Sequence, residues 1–588
     1  MPSRPYRMRE LLTRYLLPHR RLVSSLAVFL FASIGLQLIN PQIMGAFIDS
    51  ARSEADISEV TYLGLLFLGV AVTHQVLAIL ARYVSEKLAW TATNQLREDL
   101  AMHCLRLDMS FHNKRTPGEM IERVDGDVGH LANFFSQFTI RMLGSLLMLI
   151  GVLTVLYVRI DWRVGAAMSV YAVVTLFGLA VLRSVAVPAW KEAREANAGL
   201  FGFLEEHLSG TEDIRANGGQ ANSMNLLFHH AGRRLRTERT ASFKNIRLWG
   251  STTGFHMLGH LIGLGSGYLL YRADEMSVGT VFSMLLFTEI LFRPLEQLTR
   301  QMEDFQLAGA SIGRIDELRQ TQSVITVQPP AIGDSTAVAT SGPLRVTFDD
   351  VTFGYDPEEP VLHNVSLDIV PGRVVGLLGR TGSGKTTISR LLFRLYDVQE
   401  GTIRIDGANI NTLEPAALRS RVGMVTQTVQ LFRGTVRDNL TFFDASVADR
   451  HILDVVDTMG LGDWFAAMPE GLDTELQSGD GGLSAGEAQL LVFTRVFLKD
   501  PGLVILDEAS SRLDPATEAR IDRAVEHLLA QRTGIIIAHR LSTVARADEI
   551  VILDDGRIGE HGERESLAAD PTSRFSGLLQ TGLSELLT

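Results

Sequence analysis

The stretch Val374-Val-Gly-Leu-Leu-Gly-Arg-Thr-Gly-Ser-Gly-Lys-Thr386 decides the fold of the C-terminal half of the chain. Its first five residues are mostly apolar and predict a buried strand, and Thr387–Leu395 has the pattern of a helix. The loop between them matches G-x-x-x-x-G-K-[ST], whose glycines let backbone N–H groups approach phosphates. A helix N-terminus attracts the same anions. The stretch therefore predicts a nucleotide site in an α/β domain.

This loop supplies most of the predicted ligands of the nucleotide. Lys385 is expected to reach the β and γ oxygens, and the hydroxyl of Thr386 is expected to bind Mg²⁺. The other residues of the loop and of the first helical turn form the predicted phosphate cradle, namely Gly379, Arg380, Thr381, Gly382, Ser383, Gly384 and Thr387.

Two further apolar runs end in side chains that suit phosphate chemistry. Leu503–Leu506 is followed by Asp507 and Glu508. A carboxylate at a strand tip can hold Mg²⁺, and the next one can polarise an attacking water. A solvated acidic turn is the alternative, but the phosphate loop upstream favours catalysis. The run Gly534–Ala538 ends in His539, a side chain able to contact a γ-phosphate.

The N-terminal half contains the long apolar stretches of the chain. A helix needs about 20 mainly apolar residues to cross a bilayer, because lipid offers no partner to free backbone groups. Six stretches are predicted to span, at 22–48, 60–82, 138–158, 164–183, 248–271 and 278–299. The sixth contains Glu289, Arg293 and Glu296, so a buried amphipathic helix is the alternative for it.

Loop lengths and charges predict the topology. The long connections, near 83–137 and 184–247, alternate with short ones, and the N-terminal residues 1–21 contain six arginines. The positive-inside rule places the N-terminus and both long loops in the cytoplasm. Helical patterns in both loops suggest that the membrane helices continue there. We predict a membrane domain at 1–320, a linker at 321–343 and a nucleotide domain at 344–588. The net charge of −12 gives no support to nucleic-acid binding.

A third motif, Leu483-Ser484-Ala485-Gly486-Glu487, is similar to the LSGGQ signature of ATP-binding cassette (ABC) proteins. With the phosphate loop and six apolar stretches, it makes nearly the whole chain resemble an ABC exporter half-transporter. The family's other elements follow in order, with an aromatic residue at Tyr355, a glutamine at Gln427, the pair Asp507-Glu508, a D-loop ending at Asp514, and His539.

The resemblance implies an all-α six-helix transmembrane domain and an α/β P-loop NTPase domain, in a multi-pass protein of a bacterial plasma membrane. Two ATPase domains in the cytoplasm would close head to tail on ATP. Tyr355 would then stack on adenine, Ser484 and Gly486 would reach the partner's ATP, and Asp514 of the D-loop would be a further nucleotide-binding residue. The remaining roles would be Mg²⁺ binding by Thr386, Gln427 and Asp507, water positioning by Glu508, and a γ-phosphate contact by His539. Coupling helices would lie near Phe111–Glu119 and Gly210–Asn217.

The implied function is ATP-driven export of a small or amphiphilic substrate by a dimer. Import of siderophore-like cargo, or a nucleotide-gated channel or sensor, are the alternatives. Ala485 and Glu487 depart from the signature, and Ser478 stands where exporters usually have glutamate. These changes would weaken only the site built on the partner's phosphate loop. A homodimer would have this weakness at both sites, so a heterodimer is favoured over a homodimer.

Polar residues also occur within the predicted spans. His256 and His260 lie four residues apart and share one helix face. They suggest either a polar translocation pathway or hydrogen bonds between helices. Glu289 and Arg293 have the spacing of a salt bridge, which we expect them to form. A metal site at the histidine pair is disfavoured, because no third ligand is evident in the sequence.

Overall fold

The computed structural model describes residues 12–53, 55–328, 341–426, 429–477, 483–507, 515–537 and 544–581, with the backbone alone at 137–141, 299–306 and 515–516. It divides into two compact units. The first comprises Met1–Arg106 and Thr116–Gln322, and the second comprises Leu107–Arg115 and Ser323–Thr588, within the described ranges.

The first unit is helical throughout its regular structure. Its helices are α1 Arg20–Arg52, α2 Ile57–Arg106, α4 Pro117–Ile121, α5 Asp127–Asn133, α6 Gly144–Val155, α7 Trp162–Ser209, α8 Thr211–Ala216, α9 Gln220–Arg272 and α10 Val278–Gln320. The short helix α3, Met109–Asn113, belongs to the second unit. Wider π-helical turns form Leu12–Leu16, Glu122–Gly126, Phe134–Leu143 and Leu156–Ile160, and Leu17–His19 is a 3-10 turn. At about 1.5 Å per residue, α2 is about 75 Å long, so the membrane helices do continue into the long loops.

Four helices among the described residues are long and apolar enough to cross a membrane. They are Thr13–Arg52, Ile57–Arg106, Trp162–Ser209 and Val278–Leu298. The first three contain the first, second and fourth predicted spans, and the last contains the sixth except for its final residue. The third predicted span falls on the shorter apolar helix Gly144–Ile160 and the turn before it. The fifth lies inside α9, which is one continuous helix but does not reach the same hydropathy, because histidines, threonines and glycines interrupt its apolar residues.

Close backbone approach joins α1 to the start of α10. Gly279 donates its N–H to Asp49 Oδ1 at 2.7 Å, and Ser283 Oγ donates to the carbonyl of Pro41 at 2.7 Å. A Cβ atom at Gly279 would collide with the carbonyl oxygen of Gly45. Small residues at such crossings let helix backbones pack and hydrogen bond without lipid between them.

The second unit is built on a six-stranded sheet with the order β12-β11-β3-β10-β9-β6. All neighbours are parallel except β11 and β12. A four-stranded antiparallel sheet has the order β2-β1-β4-β5, and β7 pairs with β8. The strands are β1 Val346–Phe353, β2 Leu362–Ile369, β3 Val374–Gly379, β4 Glu400–Ile405, β5 Ala408–Asn409, β6 Val422–Val425, β7 Gly434–Thr435, β8 Glu475–Leu476, β9 Leu503–Asp507, β10 Thr533–Ile537, β11 Glu549–Asp554 and β12 Arg557–Glu563.

Helices cover the sheets of this unit. They are α11 Lys385–Leu392, α12 Pro415–Arg421, α13 Val436–Thr441, α14 Asp449–Thr458, α15 Gly462–Ala466, α16 Ala485–Leu498, α17 Pro515–Leu529, α18 Arg564–Ala569 and α19 Arg574–Thr581, with 3-10 turns at Ile410–Thr412 and Gly471–Asp473. Every residue of β3, β9 and β10 is buried, which explains why these strands are continuous apolar runs. The three strands predicted from such runs are confirmed.

We expect Gly279→Ala to destabilise the membrane unit by about 2 kcal/mol, because the added methyl forces α1 and α10 apart. Thermal unfolding of the purified protein in detergent measures the change. Gly69→Ala is the control, since Gly69 lies in α2 with no atom near its would-be Cβ. Alanine should raise stability there by about 0.5–1 kcal/mol. Equal responses of the two variants would contradict the close approach.

Candidate functional site

The phosphate loop connects β3 to α11 with a backbone that requires glycine. Gly382 and Gly384 have φ angles of 87° and 100°, in the left-handed region that L side chains rarely adopt. A Cβ at Gly384 would also lie 2.5 Å from Leu362 Cδ2. The turn brings α11 to its start at Lys385, with the N-terminus of the helix at the loop.

Polar groups converge inside this loop. Lys385 is 6% exposed, and its Nζ donates to the carbonyls of Gly379 at 2.6 Å and Arg380 at 2.8 Å. The buried Oγ of Ser383 has no hydrogen-bond partner among the described residues. A buried cation, an unsatisfied hydroxyl and a helix N-terminus are the groups that a phosphate chain satisfies. The loop thus fits the nucleotide that its sequence predicts.

Two predicted magnesium ligands lie together. Thr386 Oγ1 donates to Asp507 Oδ2 at 3.5 Å, which joins the start of α11 to the end of β9. Asp507 is 7% exposed. Mg²⁺ prefers oxygen ligands about 2.0–2.1 Å away, so its adjacent ligands are about 3 Å apart. The hydroxyl and the carboxylate therefore have the chemistry and nearly the spacing of a magnesium site.

The predicted adenine residue stands beside α11. Tyr355 is 43% exposed as a residue. Its hydroxyl accepts from Arg390 Nη1 at 2.9 Å and lies 3.2 Å from Thr387 Oγ1. The edge of Tyr396 meets this ring at 5.2 Å between centroids. The contacts hold the tyrosine at the phosphate loop and leave much of its ring open.

One predicted coupling segment belongs to the same compact unit as this site. Asp108 caps α3, accepting from the N–H of Ser110 at 2.9 Å, and its other oxygen accepts from the N–H of Val324 at 2.6 Å. Burial alone would raise the pKa of Asp108, but these hydrogen bonds outweigh it and keep the pKa below its usual value. Asn113 Nδ2 donates to the hydroxyl of Tyr396 at 2.6 Å. The side chain of Tyr396 therefore contacts both helix α3 and Tyr355. The second predicted segment contains α8.

The signature motif forms the start of α16. Ser484 is its N-cap and makes a capping box with Glu487. Glu487 Oε2 accepts from the Ser484 N–H at 2.9 Å and from its Oγ at 2.7 Å, while the Ser484 Oγ accepts from the Glu487 N–H at 3.3 Å. The sequence S-x-x-E is the pattern of this cap, and it could have been recognised before the structure. Gly486 is buried in the first turn.

Four predicted site residues lie outside the described residues, namely Gln427, Glu508, Asp514 and His539; Ser478 does too. The structure does describe the strands that precede Glu508 and His539. β9 ends at Asp507, immediately before Glu508, and β10 ends at Ile537, two residues before His539. Ile537 is paired with Asp507 and with Leu377, so these strand ends reach one edge of the sheet.

The polar residues of the membrane unit pair differently from the prediction. No ion pair joins Glu289 to Arg293, both of which are described. Glu289 Oε2 instead lies 2.9 Å from His256 Nε2 and 3.6 Å from His260 Nε2. The i,i+4 salt bridge was therefore the wrong expectation. Helix α9 packs against α10 along this face, and that packing is invisible in sequence spacing.

A phosphate loop on a parallel sheet, joined to a unit with membrane-spanning helices, defines an ATP-driven membrane transport protein. Family models agree. Residues 24–295 match the ABC transporter transmembrane region, and residues 362–511 match the ABC transporter model. The chain belongs to the ABC transporter family, as an exporter-type subunit with the membrane domain before the ATPase domain.

Its relatives span nearly the whole chain. An uncharacterized ABC transporter ATP-binding protein of Bacillus subtilis, YknV, is 30% identical over 95% of this chain and 92% of its own length. An ATP-dependent lipid A-core flippase of Sodalis glossinidius is 28% identical over 93% of this chain and 92% of its own. The solved structure of a bacterial Atm1-family ABC exporter with ATP bound is 23% identical, with a TM-score of 0.77 over 96% of this chain and 98% of that one, and shows the same fold.

These matches confirm several predictions made from the sequence. The fold is a helical transmembrane domain of the ABC exporter type with a nucleotide-binding domain. The chain is a multi-pass membrane protein that binds ATP and couples its hydrolysis to transport. As a half-transporter it functions in a dimer.

Proposed function

We propose that this chain is one subunit of a dimeric exporter that moves an amphiphilic molecule out of a bacterial cell. The observation that carries this proposal is a cavity of about 650 Å³ in the membrane unit, between α7, α9 and α10. It is lined by Leu179, Arg183, Ala186, Val187, Trp190, Arg194, Asn245, Leu248, Trp249, Thr252 and Glu296.

The lining combines three kinds of chemistry. Trp190 and Trp249 offer large apolar faces, and aliphatic side chains extend that surface. Arg183, Arg194 and Glu296 add charged groups to the walls, and Asn245 and Thr252 add uncharged polar ones. A molecule with an apolar body and a polar head matches both the apolar and the polar surfaces. One relative is named an ATP-dependent lipid A-core flippase, so the cargo printed in its name is a lipid.

Transport into inside-out proteoliposomes tests this function. We would supply a fluorescent amphiphile and a matched polar molecule that has the same head without the apolar body. ATP-dependent accumulation of the amphiphile alone supports the proposal. Accumulation only in right-side-out vesicles would indicate import, and equal transport of both molecules would contradict the cargo class.

We propose the following division of labour at the nucleotide. Lys385 and the loop backbone bind the phosphates, and Tyr355 stacks on adenine. Thr386 and Asp507 hold Mg²⁺, together with Gln427, and the ion would neutralise charge on the β and γ oxygens. Glu508 positions the attacking water. The remaining assignments are His539 to the γ-phosphate and Ser484, Gly486 and Asp514 to the partner's ATP.

Glu508→Gln should retain ATP binding and lower steady-state hydrolysis by about 100-fold or more, because the water loses its acceptor. ATP binding by fluorescence titration and phosphate release measure the two effects separately. Glu526→Gln, the same change at an exposed position of α17, is the control and should leave both unchanged. Lys385→Ala should instead weaken ATP binding. Near-normal turnover in Glu508→Gln would exclude the assigned role.

Tyr355→Ala should weaken ATP binding by about 1 kcal/mol, roughly fivefold, through lost ring stacking. Tyr355→Phe is the matched control. It loses the hydroxyl contacts to Arg390 and Thr387 but keeps the ring, so its ATP affinity should stay near that of the wild type. If both variants bind equally weakly, the hydroxyl rather than the ring is what matters. If neither is affected, another residue packs on the adenine.

We further propose that the chain pairs with a different half-transporter. The capping box supports this pairing. The hydroxyl of Ser484 donates to Glu487, so its proton is directed at the carboxylate rather than at a partner's phosphate. The negative charge in the first turn of α16 also offsets the positive end of the helix. Both effects weaken this signature toward ATP. A homodimer would carry the weakness at both sites, whereas a heterodimer keeps one strong site.

Glu487→Gln should raise the ATPase activity of the chain expressed alone, by about threefold or more, since a neutral cap keeps the helix start and removes the repulsion. Asp438→Asn is the matched control. Asp438 forms the other capping box among the described residues, with Thr435 at the start of α13, and is not part of the signature motif. Its neutralisation should not change activity. Native mass spectrometry gives the oligomeric state. A stable dimer of identical wild-type chains with vigorous, cargo-stimulated hydrolysis, unchanged by Glu487→Gln, would contradict the heterodimer.

A further inference from the structure

Two histidines of α9 and one glutamate of α10 bring their polar atoms to one point within the membrane unit. The Nε2 atoms of His256 and His260 are 3.2 Å apart. Glu289 Oε2 lies 2.9 Å from the first and 3.6 Å from the second. The two histidines share a helix face because they are four residues apart, and the glutamate supplies the third atom from the neighbouring helix. The contact was not foreseeable from the sequence.

We propose that His256, His260 and Glu289 form a binding site for a divalent transition-metal ion such as Zn²⁺. Two imidazole nitrogens and one carboxylate oxygen are ligands that this class of ion accepts. A tetrahedral ion with bonds of about 2.0–2.1 Å holds its ligand atoms about 3.3 Å apart. The three observed separations of 2.9, 3.2 and 3.6 Å surround that value, so the ion fits with small side-chain shifts.

The surroundings favour a cation. The side chains are partly buried, with exposures of 27%, 25% and 42% for His256, His260 and Glu289. A carboxylate in a membrane-spanning segment is costly unless a partner compensates its charge. The ring of His256 packs on Phe292 with centroids 4.4 Å apart, which fixes the direction of its nitrogen. Three protein ligands also leave a fourth position of a tetrahedral ion open.

The site lies next to the proposed cargo cavity along both helices. Thr252, which lines the cavity, is one turn before His256 on α9, and Glu296, also in its lining, is two turns after Glu289 on α10. Metal binding itself does not depend on the transport proposal. An ion held by residues of both helices would tie α9 to α10 and should stabilise the folded protein.

Metal titration of the full chain without a histidine tag tests the proposal. After the protein is stripped with a chelator and exchanged into buffer, Co²⁺ is added and its visible absorption recorded, because a tetrahedral site gives a far stronger band than hydrated Co²⁺. Zn²⁺ affinity follows from competition with a chromogenic chelator. We expect one ion per chain, displacement of Co²⁺ by Zn²⁺, and a higher melting temperature with Zn²⁺.

Single-ligand variants sharpen the test. His256→Gln, His260→Gln and Glu289→Gln should each weaken Zn²⁺ binding by about 100-fold or more and abolish the Co²⁺ band. His256→Cys restores a metal ligand and should recover binding. His229→Gln, an exposed histidine on the same helix, is the control and should bind like the wild type. ATP binding by each variant verifies its fold. No stoichiometric metal in the wild type, or equal binding in the wild type and Glu289→Gln, would overturn the proposal and leave a hydrogen-bonded contact between helices.

Discussion

The parallel pairing of β3, β10 and β9 is the constraint on which the nucleotide site depends. Ile537 is in register with Leu377 on one side and with Asp507 on the other. The chain therefore leaves all three strands at the same edge, where parallel sheets place their ligands. The phosphate loop follows β3, the Asp507 carboxylate ends β9, and α11 starts close enough for Thr386 to reach that carboxylate. A register shift of one residue would turn Asp507 to the other face of the sheet.

Helix α3 is bound to the rest of the nucleotide unit by polar contacts. Asp108 ties α3 to the backbone of Val324, and Asn113 ties it to Tyr396. The fully buried Arg394 adds hydrogen bonds to the carbonyls of Thr326 and Leu413 at 2.8 Å. The stretch Leu107–Arg115, between the two segments of the first unit, and the residues just after that unit thus both belong to the nucleotide unit. Removing one partner of such a buried contact is destabilising, because the other polar group is left buried without a hydrogen bond.

The sequence predicted local features well and contacts between helices poorly. Residues 374–386 carry their own strand, loop and helix start, so their fold and ligand were readable without any neighbour. Glu289 shows the opposite case. The spacing of Glu289 to Arg293 predicted a salt bridge, but the Glu289 carboxylate contacts two histidines of α9 instead. The residue pattern of α10 alone contains no information about which side chains of α9 will face it. The fifth span, in contrast, was predicted from the sequence and lies inside α9, although polar residues lower the mean hydropathy of that helix.

Two helix starts in the nucleotide domain differ in a way that bears on pairing. Helix α11 begins at Lys385 and has no acidic residue in its first turn, so its positive end and its lysine act together on a phosphate. Helix α16 begins after Ser484 with Glu487 in its first turn, and that carboxylate holds the serine hydroxyl. In the head-to-tail pair proposed above, the two starts would serve different ATP molecules. One chain would then contribute an attractive half to one site and a weakened half to the other. A partner with an uncharged signature would complement the attractive half, and the asymmetry inside a single chain would become an asymmetry between two sites.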